Sequence, residues 1–394
     1  MSEWRECKIG DVVLTANTGL DAIKRAPIVD RDTGIKCLRI QDVSQEKKYE
    51  NWGFTEVEQR NLIKFQLKKN DIIIARTGAS IGVNKIINED LNSVLNNGLI
   101  RIRANEALCD PKYLFFNFRT SNYNAFIESI SGGTSTQPNM QINVLLSYEI
   151  LIPSLLEQKA IAAMLSSLDA KIDLLHRQNL TLEAMAETLF RQWFVVEAKE
   201  DWEERPLSNI ANFLNGLACQ KYPPKNGVDK LPVLKIKELS SGISDSSDWA
   251  STDIKPEYIV ERGDVIFAWS ASLMVRIWNG EKCILNQHLF KVTSEEFPKW
   301  FYLMWCKHHL AEFISISSSH ATTMGHIKRG DLDAAMVSVP TESELMVMSK
   351  QMTPILDKQV IITKQIQTLE KLRNTLLPKL MSGEVRVKWQ ELSA

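Results

Sequence analysis

At 394 residues the chain is long enough for two or three domains with cores of their own. Hydrophobic residues make up 44% and charged residues 24%, ordinary for a globular protein, and no apolar run approaches the roughly 20 residues that span a bilayer. The net charge of −1 excludes a globally basic nucleic-acid binder: residues 1–153 carry 19 Lys and Arg against 18 Asp and Glu, and residues 201–340 carry 15 against 17. Any grip on phosphates has to come from local patches or from a partner subunit. Six cysteines lie scattered with no CxxC, and the start Met1-Ser-Glu-Trp-Arg lacks an apolar leader core, so reduced thiols in a cytoplasmic protein are expected.

In chain order, Ile72–Ala75, Leu99–Arg103 and Ile150–Ile152 read as strands. Pro111–Phe118 and its later counterpart Pro298–Met304 read as helices with proline in the first position. Gly132–Asn139 reads as a polar loop. The same landmarks return about 190 residues on. Leu38–Ser44 is echoed by Leu234–Ser240, Asn70–Ala75 by Gly263–Ala268, Leu95-Asn96 by Leu285-Asn286, Ser129–Ser131 by Ser315–Ser317, and Ile152-Pro153 by Val339-Pro340. The offset drifts from 196 to 187, as it does when loops change length and elements stay. A repeat of this length is a duplicated domain, not a solenoid unit. Two diverged copies imply two related but different targets.

Each copy ends in a helical stretch with a 3.5-residue apolar period. In the first, Ile161, Leu165, Leu168, Ile172, Leu175, Leu182, Ala186, Leu189 and Trp193 form the seam, with Asn179 as a single polar member. In the second the seam runs Met352, Ile355, Gln359, Ile362, Ile366, Leu369, Arg373, Leu376; Pro354 is placed to open the main stretch behind Thr353, and Pro378 to end or kink it. One such stripe cannot be buried alone, so the two helices are expected to pair, either antiparallel with a head at each end or parallel with heads side by side. A helix over Glu157–Phe194 spans roughly 55 Å, of the order of one to two turns of DNA.

These residues resemble a known family, the specificity subunits of type I restriction-modification systems. Thr375-Leu-Leu-Pro-Lys-Leu-Met-Ser-Gly-Glu-Val-Arg-Val387 is similar to the family's "LLPKLLSGE" segment. Ile152–Ile161 followed by Leu168–Ile172 resembles the start of its spacer helix, and Ala75–Gly82 resembles the "ARxGAxIG" turn of its target-recognition domains. Gly133–Asn139 and Thr322–Ile327 resemble two variants of one recognition loop. The second copy of the turn, Ala268-Trp-Ser-Ala-Ser-Leu-Met-Val275, lacks both glycines, which puts its backbone path in question.

The resemblance implies an α+β (α/β-like) fold with two tandem target-recognition domains, 1–153 and 201–340. Two helical regions, 154–200 and 341–394, would join them as an antiparallel coiled coil with pseudo-twofold symmetry. Each domain would read half of a bipartite, asymmetric double-stranded DNA site through the major groove, and the helices would set the unread spacer. The implied partners are two modification subunits, which carry S-adenosylmethionine and methylate adenine, and two restriction and translocation subunits using ATP and Mg. No membrane is involved. The subunit itself is expected to hold no cofactor, no metal and no catalytic centre.

Independent catalytic signatures are missing. No G-x-G-x-x-G follows a strand, no phosphate-binding G-x-x-x-x-G-K-[ST] is present, and the spacing of His308, His309, His320 and His326 is not that of a zinc site. Base reading needs Arg, Lys, Asn, Gln, Ser or Thr at a groove. The first copy offers Arg76, Thr77, Ser80, Thr134, Ser135, Thr136, Gln137 and Asn139, with Lys68 and Lys69 for phosphate; the second offers Arg276, His288, His320, Thr322, Thr323, His326, Lys328 and Arg329. The competing reading is a coiled-coil assembly scaffold whose heads bind protein or RNA.

Overall fold

The computed structural model describes residues 4–131, 139–225, 227–319 and 325–387. The chain divides into two compact units, Met1–Ile172 with Leu369–Ala394, and Asp173–Thr368. The division falls within two long helices, the central helix Leu155–Arg191 and the distal helix Glu342–Met381, so each unit owns a stretch of both.

In the first unit Ile72–Ala75 is apolar at every position because it is covered on both faces. It is an inner strand of an antiparallel sheet ordered Val13–Thr18, Leu99–Ala104, Ile72–Ala75, Asn84–Ile86. With side chains alternating across the sheet, Ile72 and Ile74 join Ile100, Ile102 and the helix residues Tyr113, Leu114, Ile161 and Leu165 in one core. Ile73 and Ala75 face a second core with Cys37, Leu38, Val94 and Leu95. That second core belongs to a small sheet in which Lys36–Leu38 and Ser93–Leu95 run parallel. Arg5–Lys8 pairs with Glu149–Ile152, tying the start of the unit to the strand that feeds the central helix.

The second unit repeats this plan. Its main sheet is ordered Asn212–Asn215, Leu289–Thr293, Val265–Ala268, Met274–Ile277; Lys230–Leu234 and Cys283–Leu285 form the parallel pair; Glu203–Pro206 pairs with Met336–Val339. The small sheets differ at their edges. The first adds Ile28–Val29 beside Gly53–Thr55, the second adds Ile259–Val260 beside Cys283–Leu285. Both units are mixed helix and sheet, as the resemblance implies. The predicted helix at Pro111 starts there, capped by the Asp110 carboxylate on Lys112 N and Tyr113 N. Its counterpart starts one residue later, with Pro298 as the capping residue of Lys299–His308.

Within each unit the paired helix stretches run antiparallel. In the first, Asp169 accepts from Arg373 at 2.9 Å, and Glu157, earlier in the central helix, binds Arg386, later in the chain. In the second, Asn179 Nδ2 donates to Thr363 Oγ1 at 3.0 Å, and Phe190 shares a core with Met348 and Met352. Asn179 thus has a polar partner on the facing helix. Ile161, Leu165, Ile172, Leu175, Ile362 and Ile366 are buried; Leu168, Leu182, Leu189, Ile355, Leu369 and Leu376 are half-buried. Near the ends the stripe widens to take in Phe190, Phe194, Leu356, Leu377 and Leu380, because there the helices also cover the sheet-bearing cores.

Pro354 does not open the distal helix, and Pro378 does not end it. The helix runs unbroken from Glu342 to Met381 through both Pro354 and Pro378. Both prolines are exposed, so each lost backbone bond leaves its carbonyl on the side facing water. Flanking buried residues, Met352 and Leu356, Leu377 and Leu380, hold the helix against a penalty of about 3 kcal/mol per proline. The helix starts at a capping box. Glu344 N donates to Thr341 Oγ1, and Glu344 Oε2 accepts from Thr341 N at 3.0 Å and Thr341 Oγ1 at 2.7 Å. Trp202 Nε1 also donates to this carboxylate at 3.0 Å, and Lys199 pairs with it. The central helix has the counterpart, Ser154 with Glu157, and there Arg386 supplies the cation. Burial also pushes the Cys37 and Cys109 thiols up to about 12, which keeps them protonated.

The Glu344 site makes a pH prediction. Hydrogen bonds from Lys199 and Thr341 hold the Glu344 carboxyl down at about 2. A carboxyl depressed in the folded state stabilises above its unfolded pKa, and that contribution disappears as pH falls toward 2. Glu344→Gln is expected to lower the second unit's stability at pH 7 by up to about 1 kcal/mol, since Lys199 is largely exposed and the pair is screened. Denaturant midpoints of the two proteins should converge as the pH approaches 2; an unchanged gap would contradict the linkage.

Candidate nucleic-acid interface

The strand Ile72–Ala75 delivers the chain to a turn at the end of the main sheet. There Arg76 N donates to Gly98 O at 3.0 Å, Met140 N donates to Arg76 O at 2.8 Å, and Arg76 Nε donates to Met140 O at 3.2 Å. Thr77 and Asn139 face each other in an antiparallel bridge, and Gly78 takes φ +72°. Beside this turn stands a tight tip, Asn96-Asn97-Gly98. Asn96 N donates to Leu38 O, Asn97 N to Leu20 O at 2.7 Å, and Gly98 N to Asn96 Oδ1. Arg76, Thr77, Ser80 and Asn139 are therefore brought to one end of one sheet.

The second unit builds the same corner from other chemistry. Trp269 stands where Arg76 does: Trp269 N donates to His288 O, and Ile327 N donates to Trp269 O at 3.1 Å. Its ring lies over Phe290 with centroids 5.6 Å apart, and its Nε1 donates to Asn215 Oδ1 at 3.1 Å. Ser270 bridges to His326, and its hydroxyl lies 3.1 Å from His288 Nδ1. Gln287 N donates to Leu217 O at 2.8 Å, as Asn97 does to Leu20. The missing glycines have a structural answer. Ala271, at the position of Gly78, still takes the left-handed conformation, φ +57°, with its N–H on Gly325 O at 2.9 Å. Gly82 has no counterpart, because Val265 pairs with Ile277 where Ile72 pairs with Ile86, which makes the second turn two residues shorter. The backbone route into the turn survives as far as Ala271, while the return is shorter and the side chains change.

Other sequence candidates lie elsewhere. Lys68 and Lys69 are exposed at the opposite end of strand Ile72–Ala75 from Arg76, so they do not join this corner. Arg276 lies inside the return strand, with Nη1 donating to Ser240 O at 3.3 Å; its topological counterpart Lys85 donates to Lys47 O at 3.1 Å. Each cation serves the carbonyl end of a short helical stretch. Lys328 and Arg329 are exposed just beyond His326, where the first unit has Gln141 and Ile142, and Lys328 N is capped by Asp331 at 2.6 Å. Thr134, Ser135, Thr136, Gln137, His320, Thr322 and Thr323 lie outside the described residues.

Sequence reasoning missed Asn97, Gln287, Trp269 and Asn215. The signal was present for two of them. The repeated Leu-Asn pair at 95–96 and 285–286 is followed in both copies by an amide residue. Two glycines bring the neighbouring strand onto that pair: a Cβ at Gly19 would lie 2.1 Å from Leu95 O, and one at Gly216 would lie 2.2 Å from Asn286 O. Among the described residues no group of His, Cys, Asp and Glu is placed to hold a metal ion, and no helix is long and apolar enough to cross a membrane.

A family model described as the type I restriction modification DNA specificity domain matches residues 1–184 and again residues 199–377, most of the chain. The chain belongs to this family. The two matches coincide with the two copies of the repeat. Among curated relatives, the type I restriction enzyme MjaIX specificity subunit of Methanocaldococcus jannaschii is 28% identical over 80% of this chain and 78% of its own length. The HindI specificity subunit of Haemophilus influenzae is 20% identical over 98% of this chain and its whole length. A crystal structure of the type I system S subunit from M. genitalium superposes with a TM-score of 0.62 at 16% identity, covering 96% of both chains, which establishes the shared fold. The chain is thus a type I DNA-specificity subunit, and the scaffold-only alternative is not favoured.

Proposed function

We propose that each unit presents its turn-and-tip corner to the major groove and reads one half of a bipartite, asymmetric DNA site. One observation carries this reading: the same backbone corner holds Arg76, Thr77, Asn97 and Asn139 in one unit and Trp269, Ser270, Gln287 and His326 in the other. A shared scaffold with exchanged polar groups is what two half-site specificities require. The helices set the spacer and hold two modification subunits, which bring S-adenosylmethionine and methylate adenine. Two restriction and translocation subunits add ATP- and Mg-dependent cleavage. The chain contributes recognition and assembly in the cytoplasm, and the catalytic centres lie in its partners.

The test is methylation mapping by single-molecule sequencing after co-expression with the cognate modification subunits. Deleting this chain should erase a bipartite methylated motif; an unchanged methylome sinks the reading. Exchanging residues 1–153 for those of a paralogue should change one half-site and leave the other. A heptad inserted after Leu175, matched by one in the facing stretch of the distal helix near Ile366, should change the spacer alone or abolish modification. Unchanged spacing with full activity would count against the helices as the ruler.

A further inference from the structure

Building on that reading, we infer that Asn97 and Gln287 are the paired adenine-reading side chains of the two units, one carboxamide for each half-site. The tip in each unit is built by the residue before them. Asn96 Oδ1 accepts from Gly98 N at 3.2 Å, and Asn286 Oδ1 accepts from His288 N at 3.4 Å, so these first asparagines close the turn with their own side chains. The turn makes no such use of the next side chain. Among the described residues Asn97 gives the turn its backbone N–H, donating to Leu20 O, and no side-chain bond; Gln287 N donates to Leu217 O, and its side chain meets only the neighbouring His288 ring.

The consequence is a rigid pedestal carrying an amide. Gly19 and Gly216 allow the neighbouring strand to close against the tip, so its backbone is fixed from below. Asn97 is exposed at the crest, and Gln287 is half-exposed. Both stand beside the corner that holds Arg76 and Thr77, or Trp269 and Ser270, through the backbone bonds from Arg76 to Gly98 and from Trp269 to His288.

The longer Gln287 carries one more rotatable bond and is steadied accordingly. Its Nε2 lies 3.3 Å from His288 Nε2, whose other ring nitrogen lies 3.1 Å from Ser270 Oγ. The first unit needs no relay for a shorter Asn and has glycine at the position of His288. A carboxamide offers one donor and one acceptor side by side. That pattern pairs bidentately with adenine, accepting from N6 and donating to N7 in the major groove. Asn and Gln make the same pair at different reach, which suits two half-sites read by diverged copies.

The experiment uses the full chain reconstituted with its modification subunits. The probes are synthetic duplexes of the mapped site in which each adenine in turn is replaced by 7-deazaadenine. For the wild type, one substitution in each half-site should cost about tenfold or more in methylation rate. Asn97→Ala should be insensitive to the deaza base in one half-site only, and Gln287→Ala to that in the other. Methylomes from the two variants should be relaxed at those same positions, with thermal unfolding unchanged. Penalties that simply add for every adenine, or variants that keep the full motif, overturn the inference while leaving the half-site reading intact. Failure of the wild type to yield any bipartite motif removes that reading itself.

Discussion

Asp71→Ala is expected to destabilise the first unit by about 3–5 kcal/mol, the cost of removing one partner from a buried ionic group. Asp71 is 1% exposed and Arg101 is 4% exposed. The carboxylate accepts from Arg103 Nε at 2.6 Å and Nη2 at 3.1 Å, caps Lys68 N at 2.9 Å, and lies 3.9 Å from Arg101. Arg101 is otherwise held by Asn17 Oδ1 and the carbonyls of Gln66 and Lys64. Without Asp71 the buried Arg101 guanidinium loses its counter-charge, while Arg103 stays partly open to water with Asp90 still acting on it. The second unit provides an internal control. Its counterpart pair, Asp264 with Lys291 at 2.8 Å, is partly open to water, and Thr293 replaces Arg103. Asp264→Ala should therefore cost less, on the order of 1–2 kcal/mol. Hydrogen exchange followed separately in Ile72–Ala75 and Val265–Ala268 measures the two effects in one protein. Equal losses of protection would show that burial does not govern the difference.

Gly216→Ala is expected to disable the second unit's DNA reading with little change in the first. The added Cβ meets backbone oxygens, at 2.2 Å from Asn286 O and 2.6 Å from Leu285 O, so no side-chain rotation relieves the clash. The tip cannot retreat without breaking Asn286 N to Leu234 O, and the strand cannot retreat without breaking Gly216 N to Leu289 O and Leu217 N to Leu285 O. Overpacking of this kind costs about 1–3 kcal/mol or more. The larger effect is positional, because Gln287 and His288 ride on the displaced tip. Losing the bidentate contact inferred for Gln287 corresponds to roughly tenfold to a hundredfold slower modification of the bipartite site. Methylation kinetics on the mapped duplex, with Gly19→Ala as the matching variant of the first unit, provide the check. A Gly216→Ala protein with wild-type rate and motif would remove the tip from the recognition surface.

The duplication, the strands Ile72–Ala75 and Leu99–Ala104, and the two paired helices were all legible in the sequence, because each depends on a local period or a repeated word. The turn at Arg76 was legible for the same reason, since Ala75–Gly82 carries its glycines in sequence. The course of the distal helix through Pro354 and Pro378 was not. Local propensity opposes it, and only packing of the flanking residues on the opposite face reverses the outcome. The grouping of site residues was equally hidden. Lys68 and Arg76 are close in the chain, yet a strand places them at opposite ends of a sheet, while Thr77 and Asn139 are far apart in the chain and meet in a bridge.

By itself the sequence determined that this protein has two diverged copies of one recognition unit, each ending in a pairing helix, because repetition and periodicity are properties of residue order. Tertiary structure alone decided which polar side chains share a surface. Ala271 adopts the glycine-like φ of +57° with its N–H on Gly325, and Trp269 occupies the place of Arg76, so one backbone corner carries two different chemistries. The physical reason is that backbone hydrogen bonds from distant segments fix the path of the turn. The same backbone bonds form whether Arg76 or Trp269 fills the position, so the side chains there are left to diverge.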